Sequence, residues 1–322
     1  YWVSQKKYLK KVMSWIGTQS WMNTLSKETI GLTSFPVPGV MMVSKELKKR
    51  RHLPFSFEFI KSMSYHRKKR AVILLQDAFT LYYRPEVFMA YYDLLIAMGK
   101  DVIIPPFMSS GKPSLVLGDL KRYSNCRQRL CSFLTELTAT FGEYEVPILG
   151  IEPSLSLMFR DEYQKITGDD KTEVSVPQVL LPQEYLLTQV DSLKTVCDTE
   201  ASSTETIQRE LMVLPHCHEQ SLSHKIQGSW ETLFSLLGIK TQVHSVGCCG
   251  MAGVYAHQKE HEETGRALFA LSWQQALSSK ETSASSIPLC TGASCYHHSL
   301  KEDGRALDHP LLCLGFLKSE NK

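Results

Sequence analysis

Five of the nine cysteines lie in a pattern that could do metal or redox chemistry. They occur in the stretches HCH, GCCG and CTGASC, as Cys217, Cys248, Cys249, Cys290 and Cys295. Thiolates are strong ligands of soft metals, whereas a disulfide between the neighbours Cys248 and Cys249 would be strained. We therefore expect each cysteine of this pair to contact a metal or a partner elsewhere in the chain.

Each of the five cysteines falls at or just beyond the end of a predicted strand. Apolar runs predict strands over 210–218, 241–246 and 287–290, and the patterns at 228–238 and 257–277 predict helices. Parallel strands joined by helices bring the loops at their carboxyl ends into one crevice. We therefore expect the five thiols to converge there, and this convergence predicts a metal site.

An iron–sulfur cluster suits five thiolates better than zinc does. One zinc ion is complete with four ligands, whereas thiolates are the usual ligands of iron–sulfur clusters and several irons share them. Gly247, Gly250 and Gly253 surround the cysteine pair, where they let the backbone approach closely and donate N–H groups toward sulfur. A zinc or other structural metal site and a group of ordinary thiols are the alternatives.

The remaining cysteines and the histidines have simpler interpretations. The cysteines outside the pattern are expected to be structural, because an isolated thiol behaves as a small apolar group. They are Cys126, Cys131, Cys197 and Cys313. His216 and His218 flank Cys217, either as donors or ligands or as loop residues with ordinary hydrogen bonds. His257 and His261 lie four positions apart on a predicted helix with no third ligand evident, which favours a solvated helix face.

The first half of the chain repeats this pattern without the cysteines. Apolar runs predict strands over 71–76, 101–106 and 146–152, and helical patterns cover 85–99 and 119–141. The repetition indicates that both halves form parallel sheets of the same type.

The loops after the strands have the same spacing in both halves. Ala78 and Ser109 are 31 positions apart, and so are Cys217 and Cys248. Cysteines of the second half therefore correspond to an alanine and a serine in the first.

The third loops of the two halves also correspond. Residues 152–155 correspond to residues 292–295 when the two halves are aligned with a shift of one position. In this alignment a leucine corresponds to the last cysteine. Asp77 and Glu152 lie at strand ends of this first half. They are either relics of a lost site or the lining of a docking crevice.

The sequence predicts an α/β fold of two repeated parallel-sheet units of the βαβ type, preceded by a helical connector. Residues 1–70 are the connector, which is basic and continues from a missing upstream region. Residues 71–197 are the degenerate repeat, and residues 207–316 are the repeat with intact cysteines. The polar region 160–208 is expected to carry helices and a loop, with 198–206 as the boundary.

Composition and charge narrow the function classes. The chain has 322 residues, is 43% hydrophobic and carries a net charge of +3, with its basic excess in the runs 45–52 and 66–70. No nucleic-acid-binding motif accompanies these runs, so we interpret them as solvated faces and expect no nucleic-acid partner. No apolar run approaches the roughly 20 residues of a membrane span and no signal peptide is visible, which favours a cytoplasmic protein.

The stretches HCHEQ, SVGCCGMAG and PLCTGASC together resemble the cysteine-rich CCG domain of iron–sulfur oxidoreductases. That domain occurs in heterodisulfide reductase B-type subunits and in glycolate oxidase iron–sulfur subunits. The stretches QDAFTLYY, PFMSSGKPSLVLGDL, FRDEY, SVGCCGMAGVYAH and ALFALSWQQA are similar to the carboxyl-terminal part of large FAD-linked oxidases of the D-2-hydroxyglutarate dehydrogenase type. The resemblance covers residues 70–315.

The resemblance implies a noncubane [4Fe–4S] cluster held by the five cysteines of the second half. Cys290 is the least secure ligand, because it forms a C-x4-C pair with Cys295 where the family usually has C-x2-C. The first half has no cysteines at the corresponding loop positions, so one cluster is expected. FAD is implied only on an upstream part or on a partner subunit, together with ferredoxin-type domains, and the electron acceptor is not identified.

The function expected from the resemblance is electron transfer from an FAD that oxidises a 2-hydroxy acid. The chain contains no G-x-G-x-x-G after a predicted strand, no Walker loop and no C-x2-C-x2-C-x3-C run. We therefore assign no catalytic residue and do not expect this chain alone to oxidise a hydroxy acid. The alternatives are a docking scaffold with zinc or no metal, and a heterodisulfide-type or thiol redox subunit.

Overall fold

The computed structural model shows an α/β architecture with two parallel sheets. It describes residues 31, 33, 41–165, 174–197, 210–222, 228–253, 255–278 and 286–316. The expected boundary at 198–206 and most of the connector before residue 41 lie outside this part of the chain. The limits of the two repeat units stay predictions.

The strands lie in two sheets, one in each half of the chain. They are Ala71–Leu74 (β1), Asp101–Ile103 (β2), Ile148–Leu149 (β3), Val179–Leu180 (β4), Glu210–Leu214 (β5), Thr241–Val243 (β6) and Ser286–Cys290 (β7). The first sheet has the order β2-β1-β3-β4, and the second has the order β6-β5-β7. In both, the strand that comes first in sequence lies between the second and the third, which supports the proposed repeat.

Helices connect the strands and cover the sheets. They are Val43–Lys49 (α1), Phe57–Ser62 (α2), Tyr65–Lys69 (α3), Ala78–Tyr82 (α4), Pro85–Ala97 (α5), Lys112–Val116 (α6), Leu120–Ala139 (α7), Pro153–Ser156 (α8), Pro182–Leu187 (α9), Val190–Val196 (α10), Cys217–Leu222 (α11), Ser229–Leu236 (α12), Glu262–Ser278 (α13), Ala293–Glu302 (α14) and Pro310–Phe316 (α15). Short 3-10 turns occur at Leu157–Phe159, Tyr255–His257 and Lys259–His261.

One apolar cluster joins the two sheets. It contains Val72 and Leu74 of β1, Leu211 and Val213 of β5, and side chains of α5, α12 and α15. The opposite face of each sheet packs against a long helix, α7 in the first half and α13 in the second. Strands buried on both faces are uniformly apolar, which is why AVIL and LMVL form continuous apolar runs.

The structure corrects two sequence expectations about secondary structure. The region 160–208 contains helices as expected, α9 and α10, but also a strand, β4, which pairs in parallel with β3 at the edge of the first sheet. The helix expected over 257–277 begins only at residue 262, so His257 and His261 lie in separate 3-10 turns. His257 is buried, and the ring of His261 stacks on Tyr255 with 3.9 Å between centroids, so these histidines do not form a solvated helix face.

The described part of the connector forms three short helices, and its basic residues are partly ion-paired to the first sheet unit. Arg50 binds Asp93 of α5 through Nε and Nη2 at 2.7 and 2.8 Å. Arg67 and Arg70 both pair with Asp101 at the start of β2. The basic runs are therefore not only solvated faces. Among the residues that the structure describes, no helix is both long and apolar enough to span a lipid bilayer.

Candidate metal centre

The second sheet places all five candidate cysteines at the carboxyl ends of its strands. Cys217 begins α11 shortly after β5, and Cys248 and Cys249 follow β6. Cys290 is the last residue of β7, and Cys295 lies in the first turn of α14. Because parallel strands end at the same edge of a sheet, these loops meet there.

Four of the five thiols form one cluster of pairwise neighbours. The Cys248 thiol lies beside those of Cys217 and Cys249, and Cys249 lies beside Cys295. Among the residues that the structure describes, no three of these sulfurs lie within 4.8 Å of one another. Cys249 and Cys295 are buried in the apolar cluster against α13, whereas Cys217 is half-buried and Cys248 is exposed. The cluster therefore has one open side, at Cys248.

The thiols of this cluster share negative charge unequally. Hydrogen bonds from Cys217 and Cys249 lower the pKa of Cys248 far below the ordinary range of a thiol, because they stabilise its thiolate. The same hydrogen bonds raise the pKa values of Cys217 and Cys249, and burial adds to both. A second thiolate would be placed beside the first, so ionisation of the whole set requires a cation.

Cys290 stands apart from the other four. It is fully buried, and its Sγ lies 3.8 Å from the Gly292 carbonyl oxygen and 3.9 Å from that of Leu307. Burial raises the pKa of this thiol, and the neighbouring Cys295 adds to the effect. Cys290 is close to the cluster but makes no hydrogen bond with it.

The glycines around the cysteine pair have different surroundings. The Gly250 N–H donates to Cys248 Sγ at 3.4 Å, as expected for a glycine that faces sulfur. A Cβ on Gly250 would lie 2.3 Å from the carbonyl oxygen of Gly265 in α13, and its φ is +88°, so only glycine fits. The Gly247 N–H instead donates to a serine hydroxyl of α13 at 3.0 Å, and Gly253 lies in a turn with φ of +73°.

A second group of possible ligands overlaps the first. Ligand atoms of His216, Cys217 and His218 all lie within 4.8 Å of one another. Cys217 Sγ is 3.9 Å from Nδ1 of each histidine, and the two rings stack with 5.1 Å between centroids. Burial lowers the pKa of His216 to about 3, so its imidazole is neutral and can accept a hydrogen bond or a metal.

A buried carboxylate connects two of the cysteine loops. Glu219 accepts hydrogen bonds from the His216 N–H at 2.9 Å and from the Thr291 hydroxyl. The His216 N–H also donates to Thr291 Oγ1 at 2.8 Å, and Gln183 of the first half donates to Glu219 Oε1 at 2.7 Å. Burial raises the pKa of Glu219 to about 7.

Two residues that sequence reasoning missed also shape this centre. His298 is fully buried on α14, and its Nδ1 lies 2.5 Å from the Cys249 carbonyl oxygen, to which a protonated nitrogen donates. A Cβ on Gly292 would lie 2.5 Å from the His216 ring and 3.2 Å from Cys295 Sγ. The spacing of three positions between Cys295 and His298 was a signal for the first residue, since it puts both on one helix face.

The two acidic residues of the first half have separate roles. Asp77 caps α4, because its carboxylate accepts the Thr80 N–H at 2.8 Å. Glu152 reaches across to the second half and accepts the Ala293 N–H at 2.9 Å. Burial raises the pKa of Glu152 to about 7, and the charge of Asp77 adds to the shift.

The residues present fit an iron–sulfur centre. Four thiols are neighbours in one group, two of them lie within an apolar cluster, and the Gly250 N–H donates to Cys248 Sγ. Thiolate ligands, apolar surroundings and backbone N–H donors to sulfur are the features that such clusters use.

The chain is similar to curated dehydrogenases. It is 28% identical over 291 residues to D-2-hydroxyglutarate dehydrogenase of Pseudomonas putida, and 28% identical over 305 residues to the Escherichia coli K12 protein of that name. These matches cover 90% and 94% of this chain. A weaker match, 21% identical over 248 residues, joins 74% of the chain to 60% of one subunit of the anaerobic glycerol-3-phosphate dehydrogenase of Escherichia coli K12.

The chain spans 27% and 28% of the length of the two D-2-hydroxyglutarate dehydrogenases. No protein-family model matches it. These relatives confirm the resemblance to the dehydrogenase group. That the second half is a CCG domain stays a prediction.

Proposed function

We propose that this chain is the iron–sulfur electron-transfer module of an FAD-linked 2-hydroxy acid dehydrogenase. The observation that carries the proposal is the contact of four thiols at the strand ends of the second sheet. The similarity to D-2-hydroxyglutarate dehydrogenases supports the redox class and the choice of substrate. The FAD and the ferredoxin-type domains belong to another part of the protein or to a partner subunit.

The proposed ligands are the five cysteines of the second half. Cys217, Cys248, Cys249 and Cys295 are already in contact, and Cys290 is the fifth. Its Sγ would have to leave the two backbone carbonyls that it now contacts, which makes it the weakest member of the set.

A bound [4Fe–4S] cluster supplies one-electron chemistry. The chain contributes an environment for that chemistry. Cys249 and Cys295, buried against α13, exclude water from one side, while the exposed Cys248 leaves the other side open to a redox partner. The N–H groups that donate to sulfur stabilise negative charge on the thiolates.

Metal analysis of anaerobically purified protein tests the proposal. We expect about four iron and about four acid-labile sulfide per chain, with visible absorption that dithionite bleaches. About one equivalent of zinc without iron would contradict the redox function. A metal-free chain that reversibly loses two titratable thiols on oxidation would instead indicate a thiol–disulfide site.

The His216, Cys217 and His218 group favours a second candidate, a zinc-bearing docking scaffold. Cys249 is not a member of this group, so the two functions respond differently to its replacement. In Cys249→Ser, a zinc site at the histidines should keep its metal, whereas the proposed iron–sulfur site should lose it.

A further inference from the structure

The first half contacts the cysteine loops of the second half through two buried polar side chains. Glu152 is 2% exposed and Gln183 is 1% exposed. Burying a carboxylate and an amide costs free energy unless hydrogen bonds compensate for the lost water. The compensating partners include groups in the loops that carry the cysteines.

Glu152 caps the helix that carries Cys295. The N-cap position of α14 is Gly292, which has no side chain to accept a hydrogen bond from the first turn. Glu152 Oε2 takes that role from the other half and accepts the Ala293 N–H at 2.9 Å. Its other oxygen accepts the Ser154 hydroxyl at 2.9 Å, which fixes the orientation of the carboxylate.

Gln183 acts through Glu219 on the loop after β5 and, like Glu152, on the loop after β7. Its Nε2 donates to Glu219 Oε1 at 2.7 Å, and the second carboxylate oxygen holds the His216 N–H and the Thr291 hydroxyl. His216 precedes Cys217, and Thr291 follows directly after β7. One amide of the first half therefore orients the carboxylate that joins these loops.

We infer that Glu152 and Gln183 are positioning residues, through which the first half fixes two of the three cysteine loops of the second, those after β5 and β7. The inference rests on the proposed function, because positioned thiols matter most when they hold one cluster together. The first half would then contribute to the metal centre although it has no cysteines at the corresponding loop positions. Side chains that only stabilised the contact between halves would leave the cysteine loops unchanged when replaced.

Amide hydrogen exchange of the metal-free chain tests the contacts themselves. In Glu152→Met the Ala293 amide loses its acceptor, and we expect its exchange rate to rise at least about tenfold. Glu152→Gln keeps an oxygen at the same place, so the Ala293 rate should stay within about threefold of the unmodified chain. Gln183→Met should raise the rate at His216 in the same way.

Arg127→Met is the matched control. Arg127 is also a buried polar residue of the first half, but its Nε donates to the Tyr163 carbonyl oxygen within that half. We expect it to leave the rates at Ala293 and His216 unchanged. Equal rates in Glu152→Met and the unmodified chain, or equal increases in Arg127→Met, would overturn the inference. If Glu152→Met does not fold, the exchange rate of the His216 amide in Gln183→Met, compared with the unmodified chain and with Arg127→Met, decides the question.

A spectrum of the loaded protein tests the consequence for the centre. After anaerobic loading with iron and sulfide and one-electron reduction with dithionite, which makes the cluster paramagnetic, Glu152→Met should give a shifted or broadened paramagnetic resonance signal, and Glu152→Gln should restore the original one. Arg127→Met should match the unmodified chain. An unchanged signal in Glu152→Met would contradict a positioning role. Failure of every variant, and of the unmodified chain, to take up iron would refute the proposed function, while the exchange rates would still decide the contacts.

Discussion

One loop in each half has the same glycine hydrogen bond, made to different atoms. In the second half the Gly250 N–H donates to Cys248 Sγ at 3.4 Å, and at the matching positions of the first half the Gly111 N–H donates to Ser109 Oγ at 3.3 Å. Both glycines have positive φ values, +88° and +77°. The backbone conformation is therefore independent of whether sulfur or oxygen is present.

The surroundings of the two loops differ more than the loops do. In the first half the Tyr163 hydroxyl donates to the Ser110 carbonyl oxygen at 2.6 Å, and a Cβ on Gly111 would lie 2.9 Å from Cys126 Cβ. In the second half the thiols at the corresponding positions contact one another. The comparison shows that packing maintains this loop, whereas soft-metal chemistry depends on the side chains placed in it.

Replacing a cysteine of the second half should have the largest effect. In Cys249→Ser a hydroxyl, which is a harder donor and far less acidic than a thiol, replaces a buried ligand. We expect bound iron to fall by at least roughly tenfold, with loss of visible absorption. Cys126→Ala, in the first half, should leave both unchanged. Iron content that is equal in the two variants would place the metal elsewhere.

Adding cysteines to the first half should not create a second site. Ser109→Cys with Ser110→Cys restores the adjacent pair in a loop of the same conformation. Ala78 and Leu155 still supply no thiolate, so we expect no additional iron per chain in anaerobic metal analysis. A doubling of iron and sulfide would show that two thiols and the loop are sufficient.

Replacing the glycine of each loop by alanine should lower the free energy of unfolding by different amounts in the two halves. In Gly250→Ala a Cβ would meet the backbone of α13 at 2.3 Å in a left-handed conformation, and we expect a loss of at least about 3 kcal/mol. Gly111→Ala should cost less, since its closest neighbour at 2.9 Å is a side chain. Gly118→Ala, with φ of +77° and no atom within 4 Å, should cost about 1 kcal/mol. Urea unfolding that ranks the three otherwise would contradict the packing argument.

Glu152 should make the stability of the chain depend on pH. Its pKa is raised to about 7 by burial, so between pH 4.5 and 7 the unfolded chain releases a proton that the native chain keeps. Stability is therefore lost as pH rises through this window, by up to about 3 kcal/mol relative to Glu152→Gln. Urea unfolding of both metal-free proteins at about pH 5 and about pH 8 measures the difference. Parallel curves for the two proteins would show that Glu152 does not titrate in this way.

The sequence predicted the parts of the fold that local patterns determine. Apolar runs predicted the positions of most strands. Because helical patterns separate these runs, the strands were expected to be parallel, with Cys217 and Cys248 at the ends of neighbouring strands. The strand β4 was missed because it is only two residues long, Val179 and Leu180, and a proline lies close on either side of it, at positions 177 and 182. The late start of α13 was missed because a helical pattern continues through residues that form 3-10 turns.

The contacts between distant loops could not be predicted. Glu219 and His298 bind groups that are far away in sequence, and no local pattern indicates which acceptor a buried side chain will meet. The link from Glu152 to Ala293 spans 141 positions. The equal loop spacing indicated only that these two segments correspond, and their direct contact follows from the packing of the two halves.

Differential alkylation of individual cysteines tests the central claim most directly. Cys217 and Cys126 are both half-buried, one in each half, and Cys248 is exposed. The chain is treated with iodoacetamide before and after anaerobic loading with ferrous iron and sulfide, and each modified cysteine is quantified by mass spectrometry. We expect loading to slow the modification of Cys217 and Cys248 by at least roughly tenfold and to leave Cys126 unchanged. Equal rates at Cys248 with and without iron, or protection of Cys126, would contradict the assignment of the metal centre to the second half.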